Sequence, residues 1–197
     1  MNFLAHLALA APDDDLMAGG FFGDFIKGPI PDDLNTGIAQ GVLLHRSIDA
    51  YSDRHAELGQ LRQVLPKGWG RFTGIILDLF IDHYLSSNWQ MYNSSSLENF
   101  VGSSQRALQA HRYIASDSAL RVMNRLYKYD WLTRYADVEF TLEALRRIGS
   151  RIRFDNPLHR CDELIPDYYE QLCASANVVY ADSRIHVAEW RSQNFTS

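Results

Sequence analysis

The stretch Phe-Thr-Gly-Ile-Ile-Leu-Asp-Leu-Phe-Ile-Asp-His-Tyr-Leu (72–85), with Trp89 just beyond it, decides the fold class. Phe72, Ile75, Ile76, Leu77, Leu79, Phe80, Ile81, Tyr84 and Leu85 leave it apolar nearly all round, the pattern of a helix enclosed by other helices. Into it are set Asp78, Asp82 and His83. The two aspartates are four residues apart, so they stack on one face with Ile75, Leu85 and Trp89. Like charges at that spacing repel, and a buried ionised carboxylate without a partner costs several kcal/mol. A metal ion, an arginine or protonation of one acid has to compensate.

Outward from this helix, strand signals are scarce and apolar residues recur at helical spacing, so an all-α fold is expected. Helices are expected over 14–26, 35–54, 70–90, 96–114, 117–128, 136–153 and 167–190. Breaks fall at Pro12, Gly28 to Pro31, Pro66 to Gly70, residues 93–96, Asp130, Asn156-Pro157 and Pro166. No internal repeat or linker divides the chain, and one domain over 1–197 is expected. A hydrophobic content of 46% in 197 residues is enough for a sizeable core, and 12 glycines with 6 prolines are too few for a collagen-like or disordered chain.

Membrane insertion and export are not expected. The run from Phe72 to Ile81 is interrupted by Thr73 and Asp78 and falls short of the roughly twenty apolar residues a span requires. The run from Phe3 to Ala11 lacks a basic leader and contains His6. Cys161 and Cys173 are not spaced as a zinc site and are expected as buried free thiols in a reducing cytoplasm.

The second expected helix repeats the anomaly of the third. His45 and Asp49 are four apart on a face shared with Ile38, Val42 and Ile48; Asp53 continues the stripe, His55 follows, and Arg46 lies at its edge within reach of Asp49 or Asp53. Asp24 sits in Gly-Gly-Phe-Phe-Gly-Asp-Phe-Ile-Lys-Gly (19–28), where it could instead cap a turn or pair with Lys27. His6 stands alone in the apolar N-terminal run. One arginine cannot neutralise Asp24, Asp49, Asp78 and Asp82, whereas a hard divalent cation such as Mn²⁺, Mg²⁺ or Fe²⁺ held by oxygen and imidazole ligands would do so. The candidate ligands are His6, Asp24, His45, Asp49, Asp78 and Asp82. The bland alternative is a buried network of aspartate, arginine and histidine that specifies packing alone.

Carboxylates and histidines around a metal suit hydrolysis of phosphate esters, in which a nearby histidine, His83 or His45, protonates the leaving alkoxide. Asp24, His83 and Arg46 are the candidate catalytic residues. No Gly-rich phosphate loop, nucleophile elbow or dinucleotide fingerprint competes.

Four motifs in order, Met-Asn-Phe-Leu-Ala-His-Leu (1–7), Gly-Asp-Phe-Ile-Lys-Gly (23–28), Leu-His-Arg-Ser-Ile-Asp (44–49) with Asp53 and His55, and Asp-Leu-Phe-Ile-Asp-His-Tyr-Leu (78–85) with Trp89, make the chain resemble the bacterial acyl carrier protein phosphodiesterases. The resemblance implies a divergent, all-α member of the HD phosphohydrolase group. It further implies metal-dependent hydrolysis of the diester between a serine of holo acyl carrier protein and 4'-phosphopantetheine, giving apo carrier protein, within fatty-acid and lipid metabolism. Two positions depart from the family pattern: Ala8 stands where a second histidine is common, and Gly20 where an asparagine is usual.

The net charge of −5 opposes nonspecific nucleic-acid binding. Between Arg121 and Arg153, however, eight basic residues face four acidic ones, a local +4 that reads either as solvated helix faces or as a landing patch for an acidic partner. With a carrier protein as substrate, Arg146, Arg147, Arg151 and Arg153 are the expected partner-binding residues. Two other functions fit the same residues: a phosphohydrolase acting on nucleotides or other small diesters, and a non-catalytic helical binding module with a buried ionic core.

Overall fold

A computed structural model describes residues 1–195. The described residues form ten α-helices and four short 3-10 segments with no strand, so the fold is all-α as expected. Helix α5 (Thr73–Ser87) is the enclosed helix that its composition demands: Ile76, Leu77, Leu79, Phe80, Ile81 and Leu85 are all buried. It packs against α1 (Phe3–Ala10), α4 (Ala56–Val64), α9 (Val138–Gly149) and the 30-residue α10 (Ile165–Asn194). At 1.5 Å per residue α10 is about 45 Å long. Helix α6 (Leu97–Ala110) packs on α2 (Asp14–Phe22) and on the single turn α8 (Trp131–Arg134), which also meets α5 and α7 (Asp117–Lys128).

Helices α2 (Asp14–Phe22) and α3 (Thr36–Ser52) make the closest crossing. A Cβ on Gly19 would stand 2.6 Å from the Cα of Gly41, and one on Gly41 would stand 2.8 Å from the Cα of Gly19. The two backbones therefore touch, and only glycine fits at either position. Asp13 and Asn35 cap these helices by accepting from the amides of Leu16 and Gly37.

Helix α1 lies over the stretch in which no helix was expected. Leu4, Ala5, Leu7, Leu9 and Ala10 are all buried, so the run has no polar face to reveal its period. Its N-cap residue, Asn2, supplies no side-chain bond. Asp82 of α5 does so instead, accepting from the amides of Leu4 (2.8 Å) and Ala5 (2.9 Å). At the other end the Arg191 guanidinium donates to the carbonyls of Leu9, Ala10 and Ala11 at 3.4, 2.6 and 3.1 Å. The carboxyl oxygens meet the free amides at the head, and the positive charge at the tail complements the helix dipole.

The helix expected over 14–26 ends at Phe22, and α4 was not expected at all. Pro166 opens α10 rather than breaking the chain, because a missing N–H costs nothing in a first turn. Cys161 is buried, Cys173 is half-buried, and neither is in a disulfide. No described helix is long and apolar enough to cross a membrane.

Candidate metal centre

Three helices and one turn converge at the head of α1. His6 projects from α1, His45 and Asp49 from successive turns of α3, Asp78 from α5, and Asp24 from the turn after α2. The imidazoles of His6 and His45 are buried and stacked, with centroids 4.1 Å apart and planes inclined by 29°. Both Nε2 atoms address the Asp49 carboxylate, His6 at 3.0 Å from Oδ1 and His45 at 3.2 Å from Oδ2. Asp24 Oδ1 lies 3.8 Å from His45 Nε2. The α-amino group of Met1 bridges Asp49 and Asp78 at 3.2 and 3.1 Å. The histidines thus form a dry floor, and Asp24, Asp49 and Asp78, each roughly two-fifths exposed, form a wet rim.

The electrostatics follow from this layering. Burial pushes His6 down to about 3, so its ring is neutral, the form that ligates. Burial alone would raise Asp49, but hydrogen bonds from His45 and His6, with the Met1 ammonium, reverse this and hold its carboxyl well below the usual range. For Asp24 and Asp78 burial prevails and raises both. Burial opposes the charge on the Met1 amine too, yet Asp78 and Asp49 lift it to about 10.

The donor set fits a divalent cation. One ligand atom from each of His6, His45 and Asp49 lies within 4.8 Å of the others. Ligands about 2.1 Å from a shared ion are separated by roughly 3 to 4 Å, so these side chains need little movement. The Nδ1 atoms of His6 and His45 are buried without partners, lacking the carbonyl or carboxylate that usually orients a ligating imidazole. Ring stacking and the close approach of Gly23 to His45 hold the planes instead.

Other expected site residues are placed elsewhere. Both oxygens of Asp82 are taken up by the amides at the head of α1, so it does not join the cluster. His83, one residue on, faces away: Nδ1 donates to the Tyr135 carbonyl at 2.7 Å and Nε2 pairs with the Tyr169 hydroxyl at 2.9 Å. It is a satisfied core histidine with no free nitrogen, which corrects the expectation that it meets a leaving group. Arg46 forms no ion pair with Asp49 or Asp53 among the described residues; it donates to the carbonyls of Ile26 (3.0 Å) and Gly28 (2.7 Å) and so ties down the turn that carries Asp24. Asp53 is exposed at the end of α3, and His55 pairs with Asp182 at 3.1 Å.

The basic segment is only partly free. Arg146 pairs with Asp162 and Glu139, and Arg147 pairs with Glu143, whereas Arg151 and Arg153 are exposed without an acidic partner among the described residues. The Met1 amine was missed by sequence reasoning, which weighed side chains alone; the proximity of Met1 to His6 was the available signal.

Three comparisons bear on this arrangement. A family model described as acyl carrier protein phosphodiesterase matches residues 1–183. A protein of that name from Photorhabdus laumondii is 31% identical over 152 residues, 77% of each chain. One from Klebsiella pneumoniae strain 342 is 32% identical over 176 residues, 87% of this chain and 90% of the relative. No solved structure matches, and the likeness to HD phosphohydrolases that the family resemblance implied is not confirmed.

Proposed function

We infer the function from a premise that the comparisons establish, namely that this chain belongs to the acyl carrier protein phosphodiesterase family. The reaction we propose is hydrolysis of the phosphodiester that joins 4'-phosphopantetheine to a serine of holo acyl carrier protein, releasing apo carrier protein. The observation that carries this reading is the meeting of His6, His45 and Asp49 beneath a rim of two further aspartates.

In this reading His6, His45 and Asp49 hold a divalent ion such as Mn²⁺, with Asp24 and Asp78 beside it. Once bound, the ion supplies positive charge that acidifies water and offsets the charge growing on the phosphoryl oxygens. Asp24, at the open rim beside the cluster, is the carboxyl placed to carry the proton for the departing serine. Arg46 is a positioning residue, fixing the turn that presents Asp24. Arg151 and Arg153, without an acidic partner among the described residues, are the arginines best placed to meet an acidic carrier protein, while Arg146 and Arg147 must first release their own acids. Free thiols at Cys161 and Cys173 favour a reducing cytoplasm.

The test is incubation of the purified protein and Mn²⁺ with holo carrier protein, followed by mass spectrometry. Loss of the prosthetic group supports the reading. An unchanged carrier mass, with turnover of a nucleotide or other small diester, overturns it.

A further inference from the structure

A cleft of about 270 Å³ opens beside the candidate metal centre. Its near wall includes Asn2 and Phe3, and Asn2 directly follows Met1, whose amine bridges Asp49 and Asp78, so this wall lies one residue along the chain from the carboxylate rim. Trp131 and Phe140 make an aromatic floor, and the exposed Arg125 and Arg151 stand at its edge. The wall is fixed in place, since Asn2 Nδ2 donates to the Tyr135 hydroxyl at 2.6 Å. A larger cavity of about 520 Å³ is lined by Ala8, Leu9, Ala11 and Pro12, at the far end of α1. With eight residues in α1, that places it about 12 Å along the helix from the head of α1.

We propose that this cleft receives the pantetheine arm of the substrate, an assignment that rests on the diester reading given above. An arm leaving a phosphate at the metal centre needs a groove close by, and the wall of this cleft is one residue from the Met1 amine at the rim. Its volume suits a narrow chain, whereas a helix of the carrier protein, about 10 Å across, cannot enter. The arm alternates alkyl segments with two amides. The alkyl segments match the Trp131 and Phe140 faces, and the amide carbonyls match guanidinium donors that have no acidic partner among the described residues.

Two substitutions fill the cleft from different sides, Ala144→Trp and Val122→Trp, both at half-buried wall positions. Each variant is first shown to be folded by circular dichroism, and the KM for holo carrier protein is expected to rise about tenfold or more with kcat nearly kept, the signature of lost uniform binding. In the wild-type protein, millimolar pantetheine without a phosphate or carrier is expected to shift the Trp131 indole resonance, identified through Trp131→Phe, and apo carrier protein is not. A wild-type KM in the folded variants, an indole resonance unmoved by pantetheine, or a shift caused by apo carrier protein overturns the assignment. If pantetheine moves the resonance but holo carrier protein is never cleaved, the cleft is supported and the diester reading fails.

Discussion

Gly23 faces the imidazole of His45 so closely that a Cβ there would stand 2.7 Å from the ring's Cγ and 2.8 Å from Cδ2. Its φ of −53° is one that any residue adopts, so glycine is required here for space alone. Gly23→Ala must push the ring aside or part α2 from α3. We expect a stability loss of about 1 to 3 kcal/mol. Calorimetry should also show Mn²⁺ affinity about tenfold weaker, on the scale seen when the supports of a ligating side chain are lost. Unchanged affinity would mean that the orientation of His45 is irrelevant to the ion.

Removing a floor residue acts directly. His6→Ala and Asp49→Asn each delete a donor, and metal analysis after dialysis is expected to show little retained Mn²⁺ where the wild-type protein retains it. Full retention in either variant would dismiss the cluster as a cation site.

Asp82 gives the opposite pattern. Asp82→Ala strands two buried amides of α1, at about 1 to 3 kcal/mol each. Tm should fall by roughly 4 to 24 °C, at 2 to 4 °C per kcal/mol. Below that transition the variant is expected to keep its metal. Metal loss from a folded Asp82→Ala protein would instead make Asp82 a ligand.

His83→Ala is expected to cost about 2 to 4 kcal/mol through a cavity and two abandoned partners, the Tyr135 carbonyl and the Tyr169 hydroxyl. Turnover per folded molecule should stay within about threefold of wild type, because no ring nitrogen is free to move a proton in the reaction. A steep loss of kcat at full foldedness would restore the catalytic role.

Acid should remove the contribution of His6 to the metal-free protein over a defined range, against the opposite trend of Asp82, which burial raises to about 7. His6 is held at about 3 against 6.5 when unfolded, so between these values the unfolded chain binds more protons. Its contribution is complete above about pH 6.5 and is lost as pH falls towards 3. Asp49, whose folded carboxyl is depressed, adds the same sign at lower pH: its contribution is present above the unfolded value of 3.8 and is lost as pH falls below it. Melts of chelator-treated protein from about pH 7 to 4 should show a steeper decline for wild type than for His6→Gln. Parallel curves would contradict the buried neutral ring.

Helical spacing made the enclosed α5 and the His45–Asp49 pair legible, because residues four apart must share a face. It could not say what each face meets. Asp78 and Asp82 share a stripe, yet Asp78 turns to the Met1 amine and Asp82 to the amides of α1, a division set by a helix that uniform apolarity had hidden. Arg46 was read as a partner for acids because only side-chain charges were weighed, whereas it serves backbone carbonyls. Acidic side chains on the same and following segments, Glu139, Glu143 and Asp162, similarly claim Arg146 and Arg147 from a patch that composition had left open.

The grip of Arg191 on the last carbonyls of α1 links opposite ends of the sequence. Since His6 rides on that short helix, its register depends on a latch supplied near the far end of α10. Trimming the chain back past Arg191 should therefore loosen the imidazole floor from a distance, leaving a protein that melts early and holds its ion poorly although every ligand remains in the sequence.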